Sequence, residues 1–413
     1  MLKRRSIPLI LGILAAACSD GTSGPAGAAL APMTSASVNQ TDDVVPNEYI
    51  VVLKQGSNVA AEAARARASG ALVMDMWTAA LHGFAVRASG TVLQSLRGNQ
   101  SVSYIQPNYI LRVSAVQTCA PYTTCPWGLD RIDETSLPMD GVYNQPVQAP
   151  NQGAGVHAYS IDTGIRITHA DFGGRAAYGF NATNPANPPD DNNGHGTHTS
   201  GTIGGATYGV AKRVNLVAVK VCGAFGLCAT NAIVSGVNWV TTNAIKPAVA
   251  NMSLGGGINA AIDQAVSNSI ASGVVYAIAA GNNAADACQT SPAHVPEAIT
   301  VAASGDGTGI PPASIDTRAN FSNFGTCVDL FAPGTNILSA TNTSDNATAV
   351  LSGTSMATPH VAGAAALYLD IFPNKTPAQV AAAIVANATP GVIVNPGVGS
   401  PNLLLNVNKP HRP

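Results

Sequence analysis

Between residues 156 and 405 the chain repeats one pattern: short, nearly unbroken apolar runs with longer helical runs between them. The strand candidates are VHAYSID, VNLVAVKV, AVANMSL, GVVYAIAA and AITVAA. A strand with one wet face alternates apolar and polar residues, whereas a strand covered on both faces has no need to. These runs therefore predict an α/β unit, a mostly parallel sheet flanked by helices. ATNAIVSGVNWV, NAAIDQAVSNSIASG, SMATPHVAGAAALYLD and TPAQVAAAIVANA are the helical covers. In such sheets reacting groups collect beyond the carboxyl ends of the strands.

A smaller unit precedes it. Residues 47–114 read as strand EYIVVL, helix NVAAEAARARASG, strand GFAVRA, helix TVLQSLRGN and the extended end VSYIQPNYILRV, a small two-layer α+β domain. Residues 19–46 are small, polar and rich in Pro and Gly, as a linker is. Before them, MLKRR, IPLILGIL and AAAC form the basic, apolar and small-residue parts of an export signal, residues 1–18. The LAAAC stretch also reads as a lipid-attachment box with Cys18 as the modified residue, although Ala15-x-Ala17 suits ordinary cleavage as well. Only 10% of the 413 residues are charged and the net charge is −2, so no basic face is available for nucleic acid. No apolar run reaches the ~18 residues of a membrane span.

Export makes the cysteines informative. Setting Cys18 aside leaves six, an even number suited to three disulfides in an oxidising compartment. Cys119 with Cys125, and Cys222 with Cys228, could close small loops, and Cys288 with Cys327 a longer one. The longer loop would be worth roughly 4 kcal/mol in the chain-entropy picture. No Cys-x-x-Cys pair points to zinc or redox chemistry.

Four places at element ends carry chemistry. VHAYSIDTGI ends a buried strand on Asp162, an acid that is costly there unless paired, though it also reads as a turn residue before Gly. DNNGHGTHTSG places His195 between glycines at the start of a helix. His198, three residues on, lacks the Glu and the spacing of a zinc helix and reads as structural. GVVYAIAAGNN delivers Asn282 after a buried strand, as an oxyanion donor or a plain turn residue. SGTSMATPHVAG sets Ser355 at a helix N-terminus, where the dipole favours negative charge, or where Ser and Thr merely cap the backbone.

The order Asp, His, Ser is that of subtilisin, and with it the chain resembles the subtilases, most closely the proteinase K and aqualysin branch. The resemblance is carried by IDTGI, NGHGTHTSG, YGVAK, NMSLGGG, AAGNN, FSNFG, LFAPG and GTSMATPHVAG, and runs from about residue 126 to about 405. Residues 47–114 resemble the family's inhibitor-like propeptide, of ferredoxin-like fold, which leaves 115–413 as the peptidase domain. The resemblance implies Ser355 as nucleophile, His195 as general base and acid, Asp162 as its orienting partner, and Asn282 with the Ser355 N–H as oxyanion donors. It implies a substrate strand held between Gly226, Leu227, Cys228 and Ser253, Leu254, Gly255, with Gly256, Ala279, Ala280 and Gly281 completing the pocket before the cut. Self-processing between Ser114 and Ala115, a propeptide acting as chaperone and inhibitor, and a monomeric mature enzyme follow from the same likeness. Relatives often carry Gly-Ser-Gly where this chain has Gly226-Leu227-Cys228. A cysteine common before the His motif is replaced by Asn192, so that Cys222–Cys228 becomes the expected substitute bridge. An esterase would want Gly-x-Ser-x-Gly, and the run here is Gly-Thr-Ser-Met-Ala.

Calcium is expected twice. Asp130, Asp133, Glu134 and Asp140 fall close together in an acid-poor chain, and hard oxygen ligands suit Ca²⁺. The resemblance supports that site and adds a second, where Asp329 joins the carbonyls of Pro296 and Ala298.

Overall fold

The structure, a computed structural model, describes residues 44–113, 126–146, 149–305 and 315–408, with the backbone of 116–117. The signal with Cys18, nearly all of the linker, the Cys119–Cys125 pair and the Ser114–Ala115 bond lie outside those residues.

The first unit runs β1 (Val44–Leu53), α1 (Val59–Ala68), β2 (Leu72–Trp77), β3 (Gly83–Arg87), α2 (Gly90–Arg97) and β4 (Val102–Val113). Its strands lie in the antiparallel order β4-β1-β3-β2. Asn58 and Ser89 cap the two helices by accepting from Ala61 N and Val92 N. Val51, Phe84, Val86, Val59, Ala63 and Leu96 form the core between helices and sheet. Two features correct the sequence reading. β1 begins at Val44, inside the stretch read as linker. β2 has no counterpart in that reading, because LVMDMW exposes Leu72 and Met76 and carries an acid, and so lacks a buried-strand signature. Pairing with β3 makes it a strand, through a bulge between Val73 and Asp75. The result is the β-α-β-β-α-β order of a ferredoxin-like fold.

The second unit begins with β5 (Val116–Gln117) and α3 (Trp127–Asp133). It continues through β6 (His157–Asp162), β7 (Ala176–Asn181), α4 (His195–Gly204), β8 (Asn215–Lys220), β9 (Leu227–Ala229) and α5 (Thr230–Asn243). Then come β10 (Ala248–Met252), β11 (Leu254–Gly255), α6 (Ala260–Ala271), β12 (Val275–Ala279), β13 (Ile299–Gly305) and β14 (Asp316–Arg318). β15 (Leu330–Pro333), β16 (Ile337–Ala340), β17 (Thr348–Ser352), α7 (Thr354–Ile371) and α8 (Pro377–Asn387) follow. The sheet order β15-β13-β12-β10-β6-β8-β7 is parallel at every step. All five expected strands are in it. β7 and β15 join them unannounced, one interrupted by Gly179 and the other only four residues long.

The sheet grows outward from β6, toward β8 and β7 on one side and toward β10, β12, β13 and β15 on the other. Its switch point is therefore the carboxyl end of β6, where neighbouring connections diverge and leave a crevice. One apolar face packs on α7, which is buried all round from Thr354 to Leu369. Ile233, Val237, Ile262 and Val266 of α5 and α6 cover the other. α8 starts on a Thr376/Gln379 capping box with Pro377 in its first turn.

β4 links the two units. It pairs antiparallel with β9 (Leu111 opposite Cys228) and with β11 (Val113 opposite Leu254). α5 has no side-chain cap of its own; Asn108 Oδ1 on β4 accepts from Asn231 N instead, and Gln106 Oε1 accepts from Ala261 N of α6. Helix N-termini need such acceptors for their orphan N–H groups. The first unit supplies them to two helices of the second.

Candidate active site

Asp162 ends β6 at the switch point, fully buried. One carboxylate oxygen accepts from Thr163 N at 2.7 Å and from His195 Nδ1 at 2.8 Å. The other lies 3.0 Å from His195 Nδ1 and accepts from Thr199 Oγ1 at 3.3 Å. A buried acid is tolerable when it is met by this many donors. His195 opens α4, and Gly196 beside it is obligatory: a Cβ there would stand 2.2 Å from Gly164 O. The imidazole thus has Nδ1 on a carboxylate, which fixes its tautomer and aims Nε2 away from Asp162.

A second carboxylate, Asp191, holds this geometry from below. Its Oδ1 accepts from Thr163 Oγ1, Asn193 N and Gly194 N, each at 2.9 Å, and its Oδ2 from Thr197 N at 2.9 Å and Thr197 Oγ1 at 2.6 Å. One side chain therefore fastens the residue after Asp162 to the residues around His195. Lys220 Nζ, buried at the end of β8, donates to Thr163 O and to Asn192 Oδ1. Burial pushes its pKa down, and Asp191, Asp162 and Asp190 oppose that shift. His198 points elsewhere: its Nε2 donates to Ile337 O and Ala349 O, and burial holds it neutral with a pKa of about 3. It pins the β16–β17 hairpin.

Ser355 lies in the first turn of α7, which packs against α4. Its Oγ donates to Ser253 O at 3.1 Å, and its own carbonyl accepts from Ser253 Oγ at 2.9 Å. The second bond has a covalent cause. Pro359, four residues on, has no N–H to give that carbonyl, and its ring crowds it. His195 Nε2 is buried and has no hydrogen-bond partner among the described residues. In Asn282 the amide oxygen accepts from Thr354 N at 2.8 Å and from Thr354 Oγ1 at 3.0 Å, which leaves NH₂ as the amide's donor end.

Six of the candidate substrate residues lie along β4. Gly226 O accepts from Val113 N at 3.0 Å, Leu227 pairs with Arg112, and Cys228 with Leu111. On the other wall Leu254 and Gly255 pair with Val113 and Arg112, and a Cβ on Gly256 would come 2.9 Å from Leu111 Cγ. Ala279 ends β12, Ala280 N donates to Val301 O, and Gly281 takes a left-handed φ of 105° with no room for a side chain beside Asn323. Asp191, Thr163, Lys220, Thr354 and Pro359 escaped the sequence reading. Asp191 precedes His195 by four residues and Pro359 follows Ser355 by four, the only signals they offered.

Residues 153–404, more than half of the chain, match the Subtilase family of peptidases. The chain belongs to the subtilases. An extracellular serine proteinase of Thermus sp. (strain Rt41A) is 45% identical across 98% of this chain and 99% of its own length. Alkaline serine exoprotease A of Vibrio alginolyticus is 43% identical over 88% of this chain and 68% of its own. A solved cold-adapted subtilisin-like serine proteinase is 47% identical with a TM-score of 0.64, covering 70% of this chain and all of that one. The chain is thus a subtilase serine peptidase with the family's fold.

This subtilase contains two disulfides among the described residues, Cys222–Cys228 and Cys288–Cys327. Of the first acidic group, Asp130, Glu134 and Asp140 bring oxygens within 4.8 Å of one another. Asp133 is outside that trio: its Oδ2 accepts from Asn144 N at 2.6 Å, while its buried Oδ1 has no hydrogen-bond partner among the described residues. Burial raises the pKa of Asp130, with Asp140 and Glu134 adding to it, and burial pushes Asp133 up to about 7. Crowded, partly buried carboxylates of this kind fit a hard divalent cation, whose charge would relieve the repulsion. Pro296, Ala298 and Asp329 line a single cavity, with Asp329 raised to about 6 by burial while accepting from Thr300 N.

Proposed function

We propose that this subtilase is an exported endopeptidase that cuts itself out of its precursor through Asp162, His195 and Ser355. The observation that carries the proposal is β4, the chain's own extended strand laid antiparallel between β9 and β11. Peptidases of this kind take their substrates by strand addition, with main-chain bonds giving affinity and alternate side chains giving selectivity.

In this reading Ser355 Oγ swings from the Ser253 carbonyl to His195 Nε2, transfers its proton there and attacks the peptide carbonyl. Asp162 stabilises the imidazolium, which then hands the proton to the leaving amine. The donor end of Asn282 and the Ser355 N–H hold the oxyanion, and the oxygen of Asn282 is already committed to Thr354. The bond cut first is Ser114–Ala115, one residue beyond Val113. Residues 47–114 are then the inhibiting propeptide and 115–413 the mature enzyme. Relatives named extracellular favour export by an ordinary signal, and a lipid at Cys18 gains no support from them. Calcium at Asp130, Glu134 and Asp140, and at Asp329 with the Pro296 and Ala298 carbonyls, would stabilise the fold and take no part in the chemistry.

The test is purified Ser355→Ala. It should remain an uncut precursor and lose peptidase activity by about 10⁶-fold, the handicap of the corresponding loss in subtilisin. A Ser355→Ala protein that matures when purified alone overturns self-processing. Ala279, Ala280, Gly281 and Gly256 give the pocket before the cut no charge and little bulk. Wild type should therefore cut broadly after apolar and aromatic residues. A cleavage profile dominated by Lys and Arg refutes that assignment.

A further inference from the structure

We propose that the Cys222–Cys228 disulfide sets selectivity for the fourth residue before the cut, by holding β9 ready to receive the substrate strand. The inference rests on the peptidase reading and on the Ser114–Ala115 cut, which makes Leu111 that fourth residue.

β9 is three residues long, and its only strand partner among the described residues is β4. When the first unit departs, this edge must keep its shape with no strand beside it until a substrate arrives. Its run-in, Gly223 to Leu227, is held mainly by a few hydrogen bonds, one of them from Asn193 Nδ2 to Ala224 O at 2.8 Å. Gly223 N donates to Leu227 O at 2.9 Å and Gly226 N to Gly223 O at 3.0 Å, while Phe225 at the tip is 86% exposed and anchors nothing. The covalent link supplies what packing does not. Cys222 lies two residues beyond the end of β8, and its N–H, like that of Val221, donates to Asp162 O, at 3.2 and 2.9 Å. The disulfide thus ties this edge to the strand end that carries the acid partner of His195.

The same disulfide lies beside the position that Leu111 occupies. Cys222 and Cys228 are fully buried in one apolar cluster with Leu111, Leu254 and Ile233, and Cys228 is the register partner of Leu111. An apolar side chain at that position has Gly256 against it and Cys228 as its register partner on the neighbouring strand. Fixing a binding edge beforehand removes the ordering cost that each substrate would otherwise bear. Releasing it should weaken recognition at this position.

The experiment compares mature wild type with Cys222→Ser on two tetrapeptide anilides that differ only in Leu or Ala at the fourth residue before the cut. An N-acyl tyrosine ester, which reaches no further than the pocket at the cut, is measured alongside. Wild type should prefer Leu by about 30-fold, a burial effect, and Cys222→Ser should lose about tenfold of that preference, mainly through KM. A Cys288→Ser/Cys327→Ser enzyme should melt lower yet keep the preference. Unchanged preference in Cys222→Ser, or equal loss in the control, overturns the inference. Wild type that hydrolyses neither ester nor anilide overturns the peptidase reading itself. Should Cys222→Ser fail to fold, a Cys222→Ala/Cys228→Ala enzyme, which leaves no unpaired thiol, gives the same comparison.

Discussion

At the scale of single residues, the site depends on two bonds that compensate for a missing donor. Pro359 leaves the Ser355 carbonyl without its helical N–H, and Ser253 Oγ replaces it at 2.9 Å. Asn251 Nδ2 donates to the same hydroxyl at 3.0 Å and fixes its direction. Losing one partner of a buried polar pair costs about 1–3 kcal/mol. In the uncut Ser355→Ala background, Ser253→Ala should lower the unfolding free energy by about that amount. Adding Pro359→Ala restores an N–H four residues beyond the carbonyl, so the two changes together should cost less than their separate effects predict. Denaturant melts of the four proteins in the cycle decide it, and strict additivity refutes the explanation.

At the scale of elements, α4 carries two histidines with opposite duties. His195 faces the acid at the end of β6, while His198, one turn on, donates from Nε2 to both strands of the β16–β17 hairpin. Burial lowers the His198 pKa from 6.5 to about 3, so the folded state refuses a proton that the unfolded chain takes up. The stability due to neutral His198 is whole above about pH 6.5 and drains away as pH falls toward 3. The slope is about 1.4 kcal/mol per pH unit for one such group. His198→Gln in the Ser355→Ala precursor should therefore lose less stability than its parent between pH 6 and pH 4. Parallel pH curves for the two proteins would remove His198 as the cause.

At the scale of the whole molecule, stability is gathered at a few long-range ties. Cys288–Cys327 spans 39 residues, Arg131 and Asp316 form a buried two-point ion pair 185 residues apart, and the acidic cluster of Asp130, Glu134 and Asp140 sits beside it. A cation bound only by the folded state adds stability by mass action, about 2.7 kcal/mol at one hundred times its dissociation constant. Chelation with EDTA should lower the melting temperature and shorten the half-life on heating, while initial rates at room temperature stay near their starting value. A melting temperature unmoved by exhaustive chelation refutes calcium.

Much of this protein was legible in the chain, for one physical reason: periodicity and turn chemistry are local. Strands buried on both faces are nearly continuous apolar runs, so five of them could be read from the local pattern alone. Asp162, His195, Asn282 and Ser355 stand beside the glycines, turns and helix starts that close such elements, and those marks are visible in any window of ten residues. What tertiary structure alone decided lies between windows. Asp191 reads as one acid in a polar loop, and becomes a hub only where β6 and α4 converge. β2 has no pattern of its own and exists because β3 offers it an edge. Asp133 shares a stretch with three other acids, yet one of its oxygens is committed to Asn144 N, eleven residues on. β4 reads as an ordinary strand, and only the tertiary structure pairs its Leu111 with Cys228 and its Val113 with Leu254. Contacts across more than a hundred residues leave no trace in local pattern, because the chain that makes them must first be folded.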